Sequence, residues 1–248
     1  MTSPSSPLRP HPLLERYYAD EPSRRRRVLS WFDESAADYD WISQAMSFGS
    51  GNRYRRQALL RAGLTPGMKA LDVACGTGAV TTSVQEIVGT TGQTVGLDPS
   101  TGMLREARRH GVRSLVRGMA EALPFPDGRF EFLSMGYALR HVEDLRSTFQ
   151  EYHRVLAPGG RLLILEVTPP RSRLAFHLLK LYLGRIVPLM ARLGRRGRSS
   201  RELMRYYWET IESCVAPSII LSALTEAGFT QVERRVEMAI FSEYTAVR

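Results

Sequence analysis

Lys69-Ala-Leu-Asp-Val-Ala-Cys-Gly-Thr-Gly-Ala-Val80 is the stretch on which the reading of this chain turns. Its apolar run, Leu71 to Ala74, has the composition of a buried strand. It breaks into Gly76-Thr77-Gly78 and re-enters a helix through Ala79, Val80 and Val84. Two glycines so spaced let the backbone turn tightly and approach a ligand, with N–H groups of the loop and helix start facing it. A second strand, Thr94 to Leu97, ends in Asp98, 20 residues beyond Gly78. A carboxylate at that point of a βαβ unit is placed to hold ribose hydroxyls. The third glycine of the dinucleotide fingerprint would fall where the chain has Thr81, which disfavours NAD. No Gly-Lys-Ser/Thr follows, which excludes a P-loop. A nucleoside without a pyrophosphate fits better, and S-adenosylmethionine is the foremost candidate.

Outward from this stretch, strands and helices alternate. Strands are expected near 69–75, 93–98, 112–117, 130–135 and 160–167, and helices near 79–88, 100–109 and 143–156. Ser100 and Thr101 cap the second helix, and Pro158-Gly159-Gly160 turns the chain into the fifth strand. Pro217–Gly228 reads as a helix, and Thr230–Glu237 with Ala239–Val247 as an antiparallel edge pair. The pattern specifies an α/β fold with a doubly wound, seven-stranded, mostly parallel sheet and a ligand crevice at the carboxyl ends of its strands. The expected organisation is a disordered tail over 1–22 and one domain over 23–248. That domain divides into a helical cap (23–62), a cofactor-binding core (69–169), an inserted helical lid (170–212) and a final helix with edge strands (213–248).

Composition bounds the function. The chain has 248 residues, 43% of them apolar, enough for one sizeable core. Cys75 and Cys214 form neither a disulfide framework nor a zinc spacing, so no metal is expected and a reducing, cytoplasmic setting is. The N-terminus lacks the apolar stretch of a secretory signal, and Met1 to Pro12 is rich in Ser and Pro. The net charge is +9, but all 34 basic residues except Lys69 and Lys180 are Arg, a skew that reflects genome composition as readily as phosphate binding. Basic clusters stand at Arg24–Arg27, at Arg53, Arg55 and Arg56, and at Arg192, Arg195, Arg196 and Arg198. Such clusters are solvated faces or attract an anionic membrane surface or nucleic acid. The apolar run from Leu174 to Met190 is interrupted by Lys180, Arg185 and Pro188, which suits a lid better than a membrane span.

Two further motifs carry chemistry. Ala120-Glu-Ala-Leu-Pro-Phe-Pro-Asp-Gly-Arg-Phe130 follows the third strand, where a loop can pass beneath an adenine. Met135-Gly-Tyr-Ala-Leu-Arg-His-Val-Glu-Asp144 closes the fourth strand, where a transferred methyl group would meet its acceptor. With these in place the chain resembles a class I S-adenosylmethionine methyltransferase, and within that class the ubiquinone/menaquinone C-methyltransferase (UbiE-like) family. The likeness runs from about Ser30 to the C-terminus. It rests on Phe32-Asp-Glu-Ser-Ala-Ala-Asp-Tyr-Asp40, Met46-Ser-Phe-Gly49, Arg53-Tyr-Arg-Arg56, Leu71-Asp-Val-Ala-Cys-Gly-Thr-Gly78, Ala120–Asp127 and Ala138-Leu-Arg-His-Val142. In the lid it rests on Pro188, Gly194, Tyr206 and Glu209-Thr-Ile211.

The resemblance implies cofactor contacts at Thr77, Asp98, Met119, Ala120 and Gly136, and Tyr39, Asp72, Ala74, Gly76, Gly78, Pro99, Met103 and Glu121 are expected to complete the cofactor site. The family commonly has a polar residue at Met119, a Ser at Gly136 and an Asn at His141, and Ser213–Pro217 also departs from its usual residues. The implied reaction is C-methylation of a quinol-like ring. Arg140 is expected to stabilise the phenolate, His141 or water to take the proton, and Tyr39 to close over the cofactor. Two other readings stand beside it. One is an O- or N-methyltransferase of a small specialised metabolite with His141 as base. The other is a basic nucleic-acid-binding or RNA-modifying protein, against which the sequence lacks Asn/Asp-Pro-Pro-aromatic after the fourth strand and a second catalytic cysteine. The expected partners are a small aromatic or quinol substrate and a membrane surface, met weakly through residues 174–198.

Overall fold

The computed structural model describes residues 6–46, 51–192 and 197–248. Its strands are β1 (Lys69–Val73), β2 (Gln93–Asp98), β3 (Leu115–Arg117), β4 (Phe130–Gly136), β5 (Leu156–Val167), β6 (Thr230–Glu237) and β7 (Phe241–Val247). They form one sheet in the order β3-β2-β1-β4-β5-β7-β6, parallel throughout except that β7 runs antiparallel to both β5 and β6. Strand order reverses between β1 and β4, so the crevice of a doubly wound sheet opens above those two strands. The helices are α1 (Glu21–Met46), α2 (Gly51–Arg61), α3 (Ala79–Val88), α4 (Thr101–Arg109), α5 (Leu145–Val155), α6 (Arg173–Leu181), α7 (Val187–Ala191), α8 (Gly197–Glu212) and α9 (Pro217–Glu226).

The central strands read as continuous apolar runs because helices cover both faces. Leu71 and Val73 on β1, Phe132, Leu133 and Met135 on β4, and Leu162 to Leu165 on β5 are all buried. Helix α3 buries Val80, Val84, Ile87 and Val88, an apolar stripe at helical spacing. Ser100 caps α4 by accepting from the Met103 N–H at 3.0 Å, and Asp144 caps α5 by accepting from the N–H groups of Arg146 and Ser147.

Three expectations need correction. The third strand is shorter than 112–117: only Leu115–Arg117 pairs with β2, because Val112 is committed to packing against the glycine loop. The Pro158-Gly159-Gly160 turn does not precede β5 but lies within it as an irregularity, pairing Phe130 with Leu156 and Phe132 with Arg161. Residues 6–22 are not a disordered tail. The Leu8 N–H donates to Asp144 Oδ1 at 2.8 Å, the Leu145 N–H to the Leu8 carbonyl at 2.9 Å, and the Val215 N–H to the Pro10 carbonyl at 2.8 Å. The prolines hold this strap extended, while His11 and Tyr18 are buried beneath α1 and α8. Its Ser/Pro content hid the apolar residues that tie it down; residues 1–5 lie outside the described residues.

Cap and lid form one layer. Tyr18, Trp31, Ile42, Val167, Leu183, Val187, Leu203, Tyr206 and Trp208 share a second core above the carboxyl end of the sheet. The lid helix is not regular: α6 passes through a wide turn of five-residue hydrogen bonding at Tyr182–Ile186 before α7. Of the family-like residues, Ser47 to Gly49 and Gly194 lie outside the described residues, as do Arg195, Arg196 and the Arg198 side chain.

Candidate active site

A cavity of about 840 Å³ occupies the crevice, floored by the ends of β1, β2, β4 and β5 and roofed by α1, α6 and α8. The glycine loop forms one wall. Ala74, Gly76 and Gly78 have φ of 53°, 56° and 89°, the left-handed conformations that take the backbone from β1 into α3. A Cβ on Gly78 would lie 2.6 Å from Val112 Cγ2, whereas one on Gly76 would project into open space in the cavity. The bare face of Gly76 is therefore room left for a ligand rather than a packing need.

Charge is set by burial around this loop. Asp98 accepts from the Gly76 N–H at 2.9 Å and the Ser100 N–H at 2.8 Å, and lines the cavity. Desolvation outweighs these bonds and lifts its pKa to about 6. Asp72 is fully buried, with one oxygen taken by Thr81 Oγ1 at 2.6 Å and the other by Ser134 Oγ at 2.7 Å; it braces the loop, and burial lifts it to about 6 as well. Cys75 is buried beneath Gly96, and desolvation pushes its thiol far up, so it stays inert.

The cap is latched to the cofactor wall through two aspartates of α1. Asp33 Oδ1 accepts from Ser100 Oγ at 2.6 Å and from the Gly102 N–H at 2.8 Å. Gly102 has no side chain to spare here, since a Cβ would lie 2.7 Å from the Asp33 carbonyl oxygen. Asp40 accepts from Thr77 Oγ1 and stands 3.3 Å from His110 Nε2.

At the far end of the cavity, Met119 and Ala120 line the wall beside Pro99 and Met103, and the loop is closed by a bridge between Met119 and Ala122. Glu121 accepts from the Glu143 N–H at 2.7 Å, and burial raises its pKa. Gly136 ends β4 against Val80, whose Cγ2 would stand 2.8 Å from any Cβ there. This contact accounts for the glycine where the resemblance leads one to expect serine.

These residues fit S-adenosylmethionine. Gly76, Thr77, Asp98, Pro99, Met103, Met119, Ala120, Glu121 and Gly136, which are expected to hold the cofactor, all line this one cavity, whereas Gly78 turns the loop against Val112 and does not line it. Tyr39 lines the same cavity from α1, where the resemblance expects it.

The two residues expected to act on the acceptor part company. His141 lines the cavity, stacked on Tyr206 at 5.6 Å and edge-on to Phe32 at 5.3 Å. Both its ring nitrogens are buried without a hydrogen-bond partner among the described residues. Desolvation, with Arg140 nearby, holds its pKa well below the usual imidazole range, so it is neutral. Arg140 does not face the cavity. It is fully buried, and Nε pairs with Glu166 at 2.8 Å. Nη1 donates to Thr210 Oγ1 at 3.0 Å and the Tyr207 carbonyl at 3.3 Å, and Nη2 to the Tyr137 carbonyl at 3.1 Å. The expectation that Arg140 stabilises a phenolate is corrected accordingly: the guanidinium spends its donors binding the lid helix α8 to the ends of β4 and β5.

Other cavity residues have no role that their sequence context announces. Arg55 and Tyr54 on α2, Tyr137, Leu183 and Tyr182 in the lid, Met204 and Tyr207 on α8, and Phe241 on β7 all line the acceptor side. Arg55 stands in a family-like motif with no role attached. The lid residues are legible only as apolar periodicity, which does not say which face turns inward.

The profile of the ubiE/COQ5 methyltransferase family matches residues 21–245. The ubiquinone/menaquinone biosynthesis C-methyltransferase UbiE of Shewanella sediminis is 36% identical over 213 residues, covering 83% of this chain and 84% of that protein. That of Shewanella woodyi is 35% identical over the same length. Among solved structures, a SAM-dependent methyltransferase from Thermotoga maritima superposes with a TM-score of 0.62 at 18% identity, covering 88% of this chain and 98% of its own. Phosphoethanolamine N-methyltransferase 2 of Haemonchus contortus, solved with S-adenosyl-L-methionine, gives 0.60 at 17% identity over 87% of this chain and 57% of that one. The glycine loop, the Asp98 wall and the match along nearly the whole sequence lead to one conclusion: this chain is a SAM-dependent methyltransferase that belongs to the ubiE/COQ5 methyltransferase family.

Proposed function

We propose that this enzyme transfers its methyl group to a ring carbon of a quinol-like aromatic, the C-methylation named for its Shewanella relatives. The observation that carries this reading is the acceptor side of the cavity, walled by Tyr137, Val167, Leu179, Tyr182, Leu183, Met204 and Phe241. Flat aromatic and aliphatic walls suit an apolar ring. When bound, S-adenosylmethionine supplies an electrophilic methyl group. The protein's own task is to make a ring carbon nucleophilic, to align it, and to exclude water. A phenol activates its ring when its proton is drawn away. Neutral His141, with nitrogens that no group among the described residues occupies, is the group that accepts that proton as a hydrogen bond.

The lid supports a lipid-borne substrate. Leu174, Leu178, Leu181, Ile186 and Leu189 are exposed along α6, the wide turn and α7. Arg171, Arg173, Arg185 and Arg192 flank them. The extra residue in the wide turn puts Ile186 on the exposed apolar stripe. Leu179, Tyr182 and Leu183 of the same segment line the cavity. The segment Arg173–Ala191 is long and apolar enough to cross a membrane by length and composition, but its three charged residues and cavity-lining face fit a helix lying at the surface of a cytoplasmic leaflet.

The test is incubation with methyl-labelled S-adenosylmethionine and reduced naphthoquinones and benzoquinones, with products read by mass spectrometry and NMR. The expected product carries the label on a ring carbon and keeps both exchangeable hydroxyl protons. Label found only on oxygen or nitrogen overturns the reading in favour of a small-metabolite O- or N-methyltransferase.

A further inference from the structure

Arg55 is the one buried cavity-lining arginine whose charge no carboxylate among the described residues answers; Arg117, which also lines the cavity, is exposed to solvent. Arg55 sits on α2, is 8% exposed, and has no carboxylate within ion-pair distance among the described residues. Among the described residues its Nε is buried without a partner, and its Nη2 donates to the neutral side chain of Asn52. The other arginines buried in the crevice or standing beside it are paired with carboxylates. Arg24 holds Glu21 and the carbonyls of His141 and Val142, Arg140 holds Glu166, and Arg61 holds Glu243 beside the same helix. A buried guanidinium without a counter-charge is costly to desolvate, so it is retained where a ligand completes it.

Its position says which part of a ligand. Asp98 ends β2 and the 119–121 loop follows β3, so a nucleoside occupies that half of the cavity. Whatever extends beyond it crosses the glycine loop toward Tyr137, which directly follows β4. There Arg55 exerts the strongest charge effect on Tyr137, pulling down a phenol that burial pushes up. We propose that Arg55 is the anion-binding residue of the cavity, pairing with an ionised carboxylate or phenolate oxygen of the bound ligands. Two ligands bring such an oxygen to this place: the amino-acid carboxylate of the cofactor and the ionised acceptor ring. This assignment goes beyond the C-methylation reading and stands whichever atom is methylated.

The experiment compares, by calorimetry, partners that carry a carboxylate with partners that lack it, in wild type, Arg55→Met, Arg55→Lys and the exposed neighbour Arg56→Met. The pairs are S-adenosylhomocysteine against methylthioadenosine, which lacks the amino-acid arm, and 2-naphthoate against 2-naphthamide. Arg55→Met is expected to weaken one carboxylate-bearing ligand by tenfold or more while its partner changes less than twofold, the loss of one charged hydrogen-bonded pair. Arg55→Lys is expected to recover part of the loss, and Arg56→Met to behave as wild type. Selective loss of S-adenosylhomocysteine assigns Arg55 to the cofactor carboxylate; selective loss of 2-naphthoate assigns it to the acceptor. Equal weakening within both pairs, or no change in either carboxylate-bearing ligand, overturns the proposal. Failure of wild type to bind either nucleoside contradicts the methyltransferase assignment itself and is read separately.

Discussion

At the scale of single residues, burial decides what each ionisable group can do. Asp98 is protonated more readily than a free carboxyl because its wall is desolvated, yet ribose hydroxyls donate to it best when it is ionised. Cofactor affinity is therefore expected to rise as pH climbs through about 6. The ligand-free fold responds oppositely: a raised folded pKa contributes stability at low pH that is lost as pH rises through about 6, for Asp98 and Asp72 alike. Calorimetry of S-adenosylhomocysteine across this range checks the first point, and Asp98→Asn is expected to weaken binding by about 1.5–3 kcal/mol and to flatten the pH dependence. Arg140 and His141 are neighbours in sequence with opposite duties. Removing Arg140 strands Glu166 as a buried unpaired carboxylate, so Arg140→Met is expected to lower unfolding free energy by about 3–5 kcal/mol in a denaturant titration. His141→Phe keeps the ring stack on Tyr206 but removes both nitrogens. It is expected to reduce kcat by about a hundredfold or more with cofactor affinity unchanged, and His141→Asn to restore part of the rate. A His141→Phe enzyme with wild-type kcat rules out the proton-accepting role.

At the scale of elements, α1 and the lid decide access. Helix α1 carries its aspartates at two heights: Asp33 reaches the start of α4, and Asp40 reaches the glycine loop. A helix with so little amphipathic contrast is held as much by these polar latches and by Asp38 on Ser200 as by its apolar face. The α6–α7 segment turns Leu179 and Leu183 inward and Leu174, Leu178 and Leu189 outward. Anionic liposomes are expected to sediment the protein weakly at low salt and release it at high salt, with neutral vesicles binding far less. Leu178→Glu with Leu189→Glu is expected to abolish sedimentation while leaving S-adenosylhomocysteine affinity untouched, since neither residue lines the cavity. Vesicle binding that survives both substitutions places the docking face elsewhere.

At the scale of the whole molecule, the core on the two faces of the sheet is stacked against a core shared by cap and lid, with the cavity between them. Local chemistry makes the first legible. Leu71 to Ala74, the two glycines and Asp98 impose strand, turn, helix and strand through apolar runs and backbone freedom, all of which act over a few residues. The positions of Gly76, Asp98, Met119 and His141 around one cavity follow from that topology, so they could be placed from sequence. The resemblance to a known family narrowed the chemistry but carried Arg140 into the active site with it. Where a long side chain points is settled by partners distant in sequence: Glu166, Tyr207 and Thr210 claim Arg140, and no carboxylate among the described residues claims Arg55. The N-terminal strap follows the same rule, its order depending on Asp144 and Val215 far along the sequence. The sequence by itself thus determined the sheet, the glycine loop and the cofactor, because those rest on local periodicity and backbone conformation. Only the tertiary structure decided which charges are satisfied and which face the ligand, because desolvation and pairing are properties of neighbours that the fold alone brings together.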